Sequence, residues 1–376
     1  MSELYRKNER VLTLKESNGV PCEIVKIHDA GLLPISLRND CTVENLNKWL
    51  SLRSLPQTRE GLEELFRTYG NDSFSSKNQA SLTDQYWIKK RTETYSRINF
   101  FSNQYSSDFG DAVFTPWKLK KRKLDTFSPD LTTTGLVRKC WRQDQKTKES
   151  YMVKAGSTAL GQDPLSEVLV SVFLEKTQII PFIRYDLHIE GMEVCSICKN
   201  YITKDTELVP INYIYETKPR EKNESVTTHL LKMCELYDIP DAEEFIEQML
   251  FVDRFVGNYD RNLGNIAAVY SVEENRFLSM FPLFDFGNAY YDTAKITKIT
   301  KSNLFSDREG LCFKKYMNKL NLDVLANDEE IKECIYNYPC MEEERREALY
   351  NAIHTRNMKL LSDHSNPARD DDREER

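Results

Sequence analysis

The stretch PDAEEFIEQMLFVDRFVGNYDRNLGN (240–265) constrains the fold more than any other. It opens on acidic residues, which suit the positive end of a helix. Apolar residues at 245, 249, 252 and 256 then follow the spacing of one helical face. A helix with such a stripe must lie on a core. It runs directly into GNYDRNLGN (257–265), where Gly257 and Gly264 let the backbone bend tightly. Within that loop Asp260 and Asn265 stand five residues apart. Both side chains bind protons or hard metal ions, so the loop is either a polar turn or a piece of catalytic machinery. Asp253, one helical turn earlier on an apolar segment, reads as a buried carboxylate that braces the loop.

The rest of the chain supplies material for that core. With 376 residues, 40% hydrophobic and 11% aromatic, it can build two or three domains with substantial interiors. In residues 1–125 the runs RVLTLKES and CEIVKI, parted by NGVP, predict a strand pair. TVENLNKWLSLR and TREGLEELFRTYG predict helices, each opening at a Thr that can cap its first turn. The aromatic-rich stretch 81–114 is expected to seal this module against the next part. From residue 126 to 202 the runs GLVRKCW and SYMVKAG predict a hairpin. DPLSEVLVSVFLEKT (163–177) predicts a helix with Pro164 in its first turn, and IRYDLHI and EVCSICKNYI predict strands. Residues 203–362 read as mainly helical after the charged insertion ETKPREKNES, with Leu349, Ile353 and Leu360 on one side of the last helix. Residues 363–376 read as a disordered, charged tail. The expected class is α+β.

A net charge of −7 argues against direct nucleic-acid binding, and the basic run KLKKRKL (118–124) is explained by a solvated edge or loop. Nine cysteines from Cys22 to Cys340 lack a framework spacing, and the single C-x-x-C at Cys195 and Cys198 has no second metal-binding pair. Ordinary thiols of a reduced, cytoplasmic protein are expected. The start MSELYRKNERVLTL has no apolar signal core, and no run approaches the roughly 18 apolar residues of a membrane span, so a soluble chain is expected.

Phosphoryl transfer from ATP needs a carboxylate for the attacking hydroxyl, oxygen ligands for Mg²⁺, and a cation on the phosphates with a partner to hold it. Protein kinases place the catalytic Asp and a Mg²⁺-binding Asn five residues apart, with a second Mg²⁺-binding Asp in D-F-G further on. Asp260 and Asn265 have that spacing, and an expected hairpin leads to PLFDFGNAYY, in which Asp285 opens D-F-G. Upstream, Lys154 lies in the strand SYMVKAG and Glu167 in the first turns of the next helix. Each piece alone occurs often by chance. The ordered set carries the signal. GSTALGQD (156–163) imitates a Walker A loop but has Gln162 and Asp163 in place of its Lys and Ser/Thr. No G-x-G-x-x-G precedes Lys154, so a phosphate-covering turn must come from SPDLTTTG (128–135), through groups such as Thr134 and Gly135.

The order of helix MLFVDRFVGNYDRN, D-x-x-x-x-N loop, hairpin and P-L-F-D-F-G resembles the HipA-like kinases over about residues 128–295. The stretch SLTDQYWIKKRTETYSRINFFSNQYSSDFG also resembles the region before the kinase core in HipA-like proteins of clostridial-type bacteria. The resemblance implies a two-lobed protein-kinase-like fold, with a strand-rich N-lobe, a helical C-lobe and a small α+β module in front. By it, Asp260 is the catalytic base, Asn265 and Asp285 hold Mg²⁺, and Lys154 contacts ATP with Glu167 as its partner. A hinge near Cys198–Tyr201, including Asn200, would bind adenine through backbone groups. The family usually has His two residues after the catalytic Asp, where this chain has Asn262. An ATP- and Mg²⁺-dependent kinase for protein Ser/Thr, able to modify its own SPDLTTTG loop, is the leading expectation. A DNA-binding, antitoxin-like regulator is the partner the resemblance implies. A lipid or small-molecule kinase is a neighbouring reading, and the alternative class is a pseudokinase or interaction module, which Asn262 favours.

Overall fold

The computed structural model describes residues 1–376 apart from 71–73, 75, 77, 120–122, 158–160, 292–305, 321–327, 340 and 366–376. The middle of the basic run at 118–124 therefore lies outside the described residues. Ser2–Arg6 (β1), Glu9–Ser17 (β2), Val20–Ile27 (β3) and Tyr86–Lys89 (β4) form an antiparallel sheet in the order β3-β2-β1-β4. The β2–β3 turn puts Asn18 and Gly19 at φ 51° and 81°, the double positive-φ geometry that matches strand twist in two-residue hairpins. Val43–Leu52 (α1) packs on β3, and Thr42 caps it by accepting the Asn45 N–H at 3.2 Å. The Thr cap expected for the second helix is not formed. Leu62–Tyr69 (α2) begins after Gly61, because the preceding residues are tied to the 131–136 segment instead. Arg59 donates to the carbonyls of Gly135 and Thr133, and the Glu60 N–H goes to the Leu136 carbonyl.

The aromatic stretch adds two short helices, Tyr95–Ile98 (α3) and Asp108–Phe114 (α4). Trp87, Ile98, Phe100 and Tyr105 pack with Trp141, with Met152 against them, so these rings join the first module to the next sheet. That sheet comprises Lys139–Gln143 (β5), Ser150–Ala155 (β6), Asp186–Glu190 (β7) and Glu193–Lys199 (β8), in the order β5-β6-β8-β7. Asp163–Thr177 (α5), with Pro164 in its first turn, crosses its face and is buried along most of its length.

Thr206–Pro210 (β9), Ala267–Ser271 (β10) and Arg276–Met280 (β11) make a three-stranded sheet in the order β11-β10-β9. Around it lie Ile211–Tyr215 (α6), Val226–Leu236 (α7) and Ala242–Val256 (α8). Phe245, Met249, Val252 and Val256 of α8 are buried as their spacing predicts, and they share one core with α5 and the three-stranded sheet. Leu349 and Ile353 of the helix Glu343–Ser365 join that core, while the Leu360 side chain lies outside what is described. This helix runs to Ser365, so residues 363–365 are helical rather than the start of a tail. The architecture is mixed α+β, with sheet-rich and helical parts. Among the described residues no helix is long and apolar enough to cross a membrane.

Candidate functional site

The β6–β8 ladder pairs Lys154 with Ser196, and α5 brings Glu167 beneath them. The Lys154 ammonium donates to Glu167 Oε1 and to Asp285 Oδ1, each at 2.7 Å. Ser196 Oγ donates to the other oxygen of Glu167, which is fully buried. Asp285 reaches this position with φ +63°, a left-handed backbone that Asp tolerates better than most residues. Its N–H donates to Tyr185 Oη at 3.3 Å. Burial alone would raise the Asp285 carboxyl, but the Lys154 ammonium and its hydrogen bond hold it down to about 2. Burial opposes the charge on Lys154, yet the Asp285 and Glu167 carboxylates outweigh it and push its pKa up. Burial raises Glu167, with the Lys154 ammonium pulling it back. Lysine and Asp285 are therefore both charged at neutral pH.

Helix α8 ends at Gly257, whose φ of +71° turns the chain sharply into the 258–265 loop. The loop is fixed from inside by Arg261. Its Nε and Nη2 grip both oxygens of Asp253 at 2.9 and 3.0 Å, and its Nη1 donates to the carbonyls of Asn265 and Phe284 at 3.0 and 2.6 Å. Asn258 adds a bond to Asp253 Oδ1 at 2.9 Å. Asn262 caps the turn Leu263–Asn265 by accepting the Gly264 N–H at 2.9 Å. Asn265 donates to the Asp260 carbonyl at 3.4 Å, so its own amide oxygen is left for another partner. Asp260 is exposed, and its carboxylate accepts from Asn288 Nδ2 at 3.0 Å. Partial burial and then the Asp285 carboxylate raise its pKa.

Lys154 and Asp285 line a cavity of about 320 Å³, together with Thr132–Thr134, Cys198, Asn200 and Gly264. Cys198 and Asn200 sit where β8 passes into the link to β9, which puts backbone groups of 198–202 along the wall. The Asn200 side chain is spent on that link, donating to the Leu82 carbonyl at 3.2 Å and accepting from the Ile202 N–H at 3.2 Å. The Thr-rich segment is a 3₁₀ turn, Pro129–Thr132. Ser128, Thr132 and Thr133 are buried, with Ser128 and Thr133 bonded within the segment and Thr132 donating to the Ala80 carbonyl, whereas Thr134 is exposed. Gly135 has φ +95°, and a Cβ there would meet Lys139 Nζ at 2.5 Å, so the turn closes directly over a second lysine.

Three side chains in this site went unnoticed in the sequence. Lys139 lies across the strand from Lys154 and lines the same cavity, and burial, then the Lys154 and Arg59 cations, push it down to about 8. The register of the hairpin would have revealed it, since opposed residues share a face. Asn288 follows D-F-G directly and Arg261 lies inside the loop. Neither carries a local signal beyond its position.

No protein-family model matches the chain, and neither does any curated protein. Among solved structures it is similar to HipA of the Shewanella oneidensis MR-1 toxin–antitoxin system, determined in complex with HipB and operator DNA. That likeness covers 96% of this chain and 98% of the other, at 12% identity and a TM-score of 0.59. It is also similar to the Helicobacter pylori proinflammatory kinase CtkA, over 61% of this chain and 90% of that one, at 17% identity and a TM-score of 0.49. The likeness to HipA shows the fold. The chain has the HipA-type, kinase-like architecture over nearly its whole length.

Proposed function

We propose that this chain is an ATP- and Mg²⁺-dependent phosphotransferase acting on protein Ser or Thr hydroxyls. The observation that carries the reading is Lys154, held at 2.7 Å by both Glu167 and Asp285 on the wall of a cavity rimmed by the Thr-rich turn and the β8–β9 link. ATP phosphates would take hydrogen bonds from Lys154 and from Lys139, with Thr134 and Gly135 above them. Adenine would lie against the backbone near Cys198 and Asn200. Asp285 and the amide oxygen of Asn265 are hard oxygen donors, and Asp285 is already charged, so the residues fit Mg²⁺. That ion would supply charge neutralisation on the transferred phosphoryl group.

Asp260 is the base in this scheme. It takes the proton of the acceptor hydroxyl while that oxygen bonds to the γ-phosphorus and the bond to the bridging oxygen breaks, releasing ADP. Asn262 shapes the turn, a task its amide performs without accepting a proton. If the chain modifies its own Thr-rich turn, Thr134 is the hydroxyl within reach, because Ser128, Thr132 and Thr133 are buried. An antitoxin-like regulator and a cytoplasmic setting complete the proposal, by analogy with the HipA of a toxin–antitoxin system. Calorimetry with ATP and Mg²⁺, followed by incubation with labelled ATP, tests it. We expect binding that Asp285→Ala abolishes, and transfer that Asp260→Asn lowers by about 10²–10⁴ with ATP affinity kept. No binding by the parent chain, or equal turnover in Asp260→Asn, overturns it.

A further inference from the structure

The D-F-G motif is followed by a backbone course that its residue types do not favour. Tyr290 and Tyr291 stand at φ +49° and +61°, the only consecutive pair of non-glycine residues in the left-handed region among the described residues. For bulky side chains this is a genuine outlier, and it persists only where the surroundings impose it. Here they do. Three successive carbonyls are each taken by a different side chain: Ala289 by Ser166 Oγ at 2.9 Å, Tyr290 by Gln162 Nε2 at 3.1 Å, and Tyr291 by Arg345 Nη2 at 2.9 Å. Arg345 Nη2 also donates to Gln162 Oε1 at 2.7 Å, so the two holds brace each other. The Tyr290 N–H goes to the Val256 carbonyl at 3.0 Å, at the end of α8.

Gln162 and Ser166 are buried at the start of α5, and Arg345 lies on the helix Glu343–Ser365. Gln162 occupies the position before the first turn of α5 but does not cap it with its side chain; the amide is spent on Tyr290 and Arg345. Asn288 stands immediately before the three held carbonyls, and its Nδ2 donates to Asp260 Oδ2 at 3.0 Å. Arg261 fixes the backbone of the Asp260 loop, but its bonds go to Asp253 and to the carbonyls of Asn265 and Phe284, not to the exposed Asp260 carboxylate. The aim of that carboxylate thus depends on where residue 288 lies, which is set from α5 and from the last helix. Because α5 also carries Glu167, one helix start keeps the Lys154 cluster and Asp260 in register.

We propose that Gln162 and Arg345 are positioning residues for Asp260: they hold the backbone after D-F-G in its left-handed course, and that course presents Asn288 to the Asp260 carboxylate. The inference rests on the kinase reading for what Asp260 does, but its first test uses no ATP. In nitrogen-15 spectra of the full chain, the Asn288 side-chain amide is identified by its disappearance in Asn288→Ala. In Gln162→Met, which keeps the length of the side chain and loses both hydrogen bonds, that signal should move to the position of a solvent-exposed asparagine. Arg345→Met should move it the same way, and stands in if the first variant does not fold. An unmoved signal in a folded variant overturns the inference. Turnover is the second test. Gln162→Met should lower kcat about fivefold, the scale of one lost hydrogen bond, with KM for ATP unchanged. Added to Asn288→Ala it should slow the chain little further, because both changes break the same link. Losses that multiply, or a rise in KM in place of the fall in kcat, overturn the positioning role. A parent chain that transfers no phosphate sinks the kinase reading instead, and the spectra still decide whether Gln162 and Arg345 place Asn288.

Discussion

Arg261 and Lys154 each meet carboxylates in the interior, but they differ in what they leave over. Arg261 spends Nε, Nη1 and Nη2 on Asp253 and two carbonyls, and its side chain and that of Asp253 are 0% and 6% exposed. The planar fork closes the network on itself. Lys154 spends two of its three N–H donors on Glu167 and Asp285 and lines an open cavity, with Asp285 one-third exposed. Two ionic clusters in one fold thus have opposite designs: one fixes a loop's shape, and the other keeps a charge ready for something to arrive. A bidentate arginine suits the first task and a pliable ammonium the second.

The largest effect that tests this contrast comes from removing the closed cation. Arg261→Met strands Asp253 without its counter-ion, and should cost about 3–5 kcal/mol of unfolding free energy, read from urea melts. Lys154→Met should cost less than half as much. Asp285 can reach water, and Glu167 can take a proton while still accepting from Ser196. Equal losses in the two variants would remove the distinction.

Asp130 sharpens the comparison from a third side, as a buried acid with hydrogen bonds but no bonded cation among the described residues. It accepts from the Trp141 N–H at 2.6 Å and from Ser128 Oγ at 2.8 Å, yet burial outweighs these and raises its pKa from 3.8 to about 6. The sign follows from linkage: with a folded pKa above the unfolded one, its contribution is most favourable below about pH 4 and is lost as pH rises through 6. A shift of that size corresponds to at most about 3 kcal/mol. Relative to Asp130→Asn, the parent chain should lose stability between pH 4 and 7, and parallel pH profiles would show that Asp130 titrates normally. The smallest effect is at the open cluster's neighbour. Asn288→Ala removes one hydrogen bond to Asp260, worth about 1 kcal/mol, so turnover should fall roughly fivefold while ATP affinity and melting hold. A change in ATP affinity of that size instead would place Asn288 on the nucleotide.

Period and end signals made much of this legible in advance. The β5–β6 hairpin, α5 with its early Pro164, and α8 with its stripe at 245, 249, 252 and 256 are local patterns, and the structure forms them where they were read. The meeting of Lys154, Glu167 and Asp285 was legible because the order of motifs implied it, although 131 residues separate the two ends. The absent Thr cap of α2 was not, since its cause is Arg59 reaching residues more than 70 positions away. Strand β1 is too short to announce itself, and Trp49 and Arg53 read only as part of an amphipathic helix. Their place on the wall of the central cavity is set by tertiary packing, which no window of sequence contains.

The pairing of Arg6 with Glu207 has a consequence for the order in which the chain can be completed. Arg6 Nε and Nη2 bond to Glu207 at 2.9 and 2.8 Å, both residues are buried, and 201 residues lie between them. On a ribosome adding about 5–20 residues per second, the first strand waits on the order of ten to forty seconds for its counter-ion to be made. Until then Arg6 has no Glu207 carboxylate to pair with. The N-terminal module is thus made well before the partner of its buried arginine, and a nascent chain ending before β9 lacks the carboxylate that pairs with Arg6.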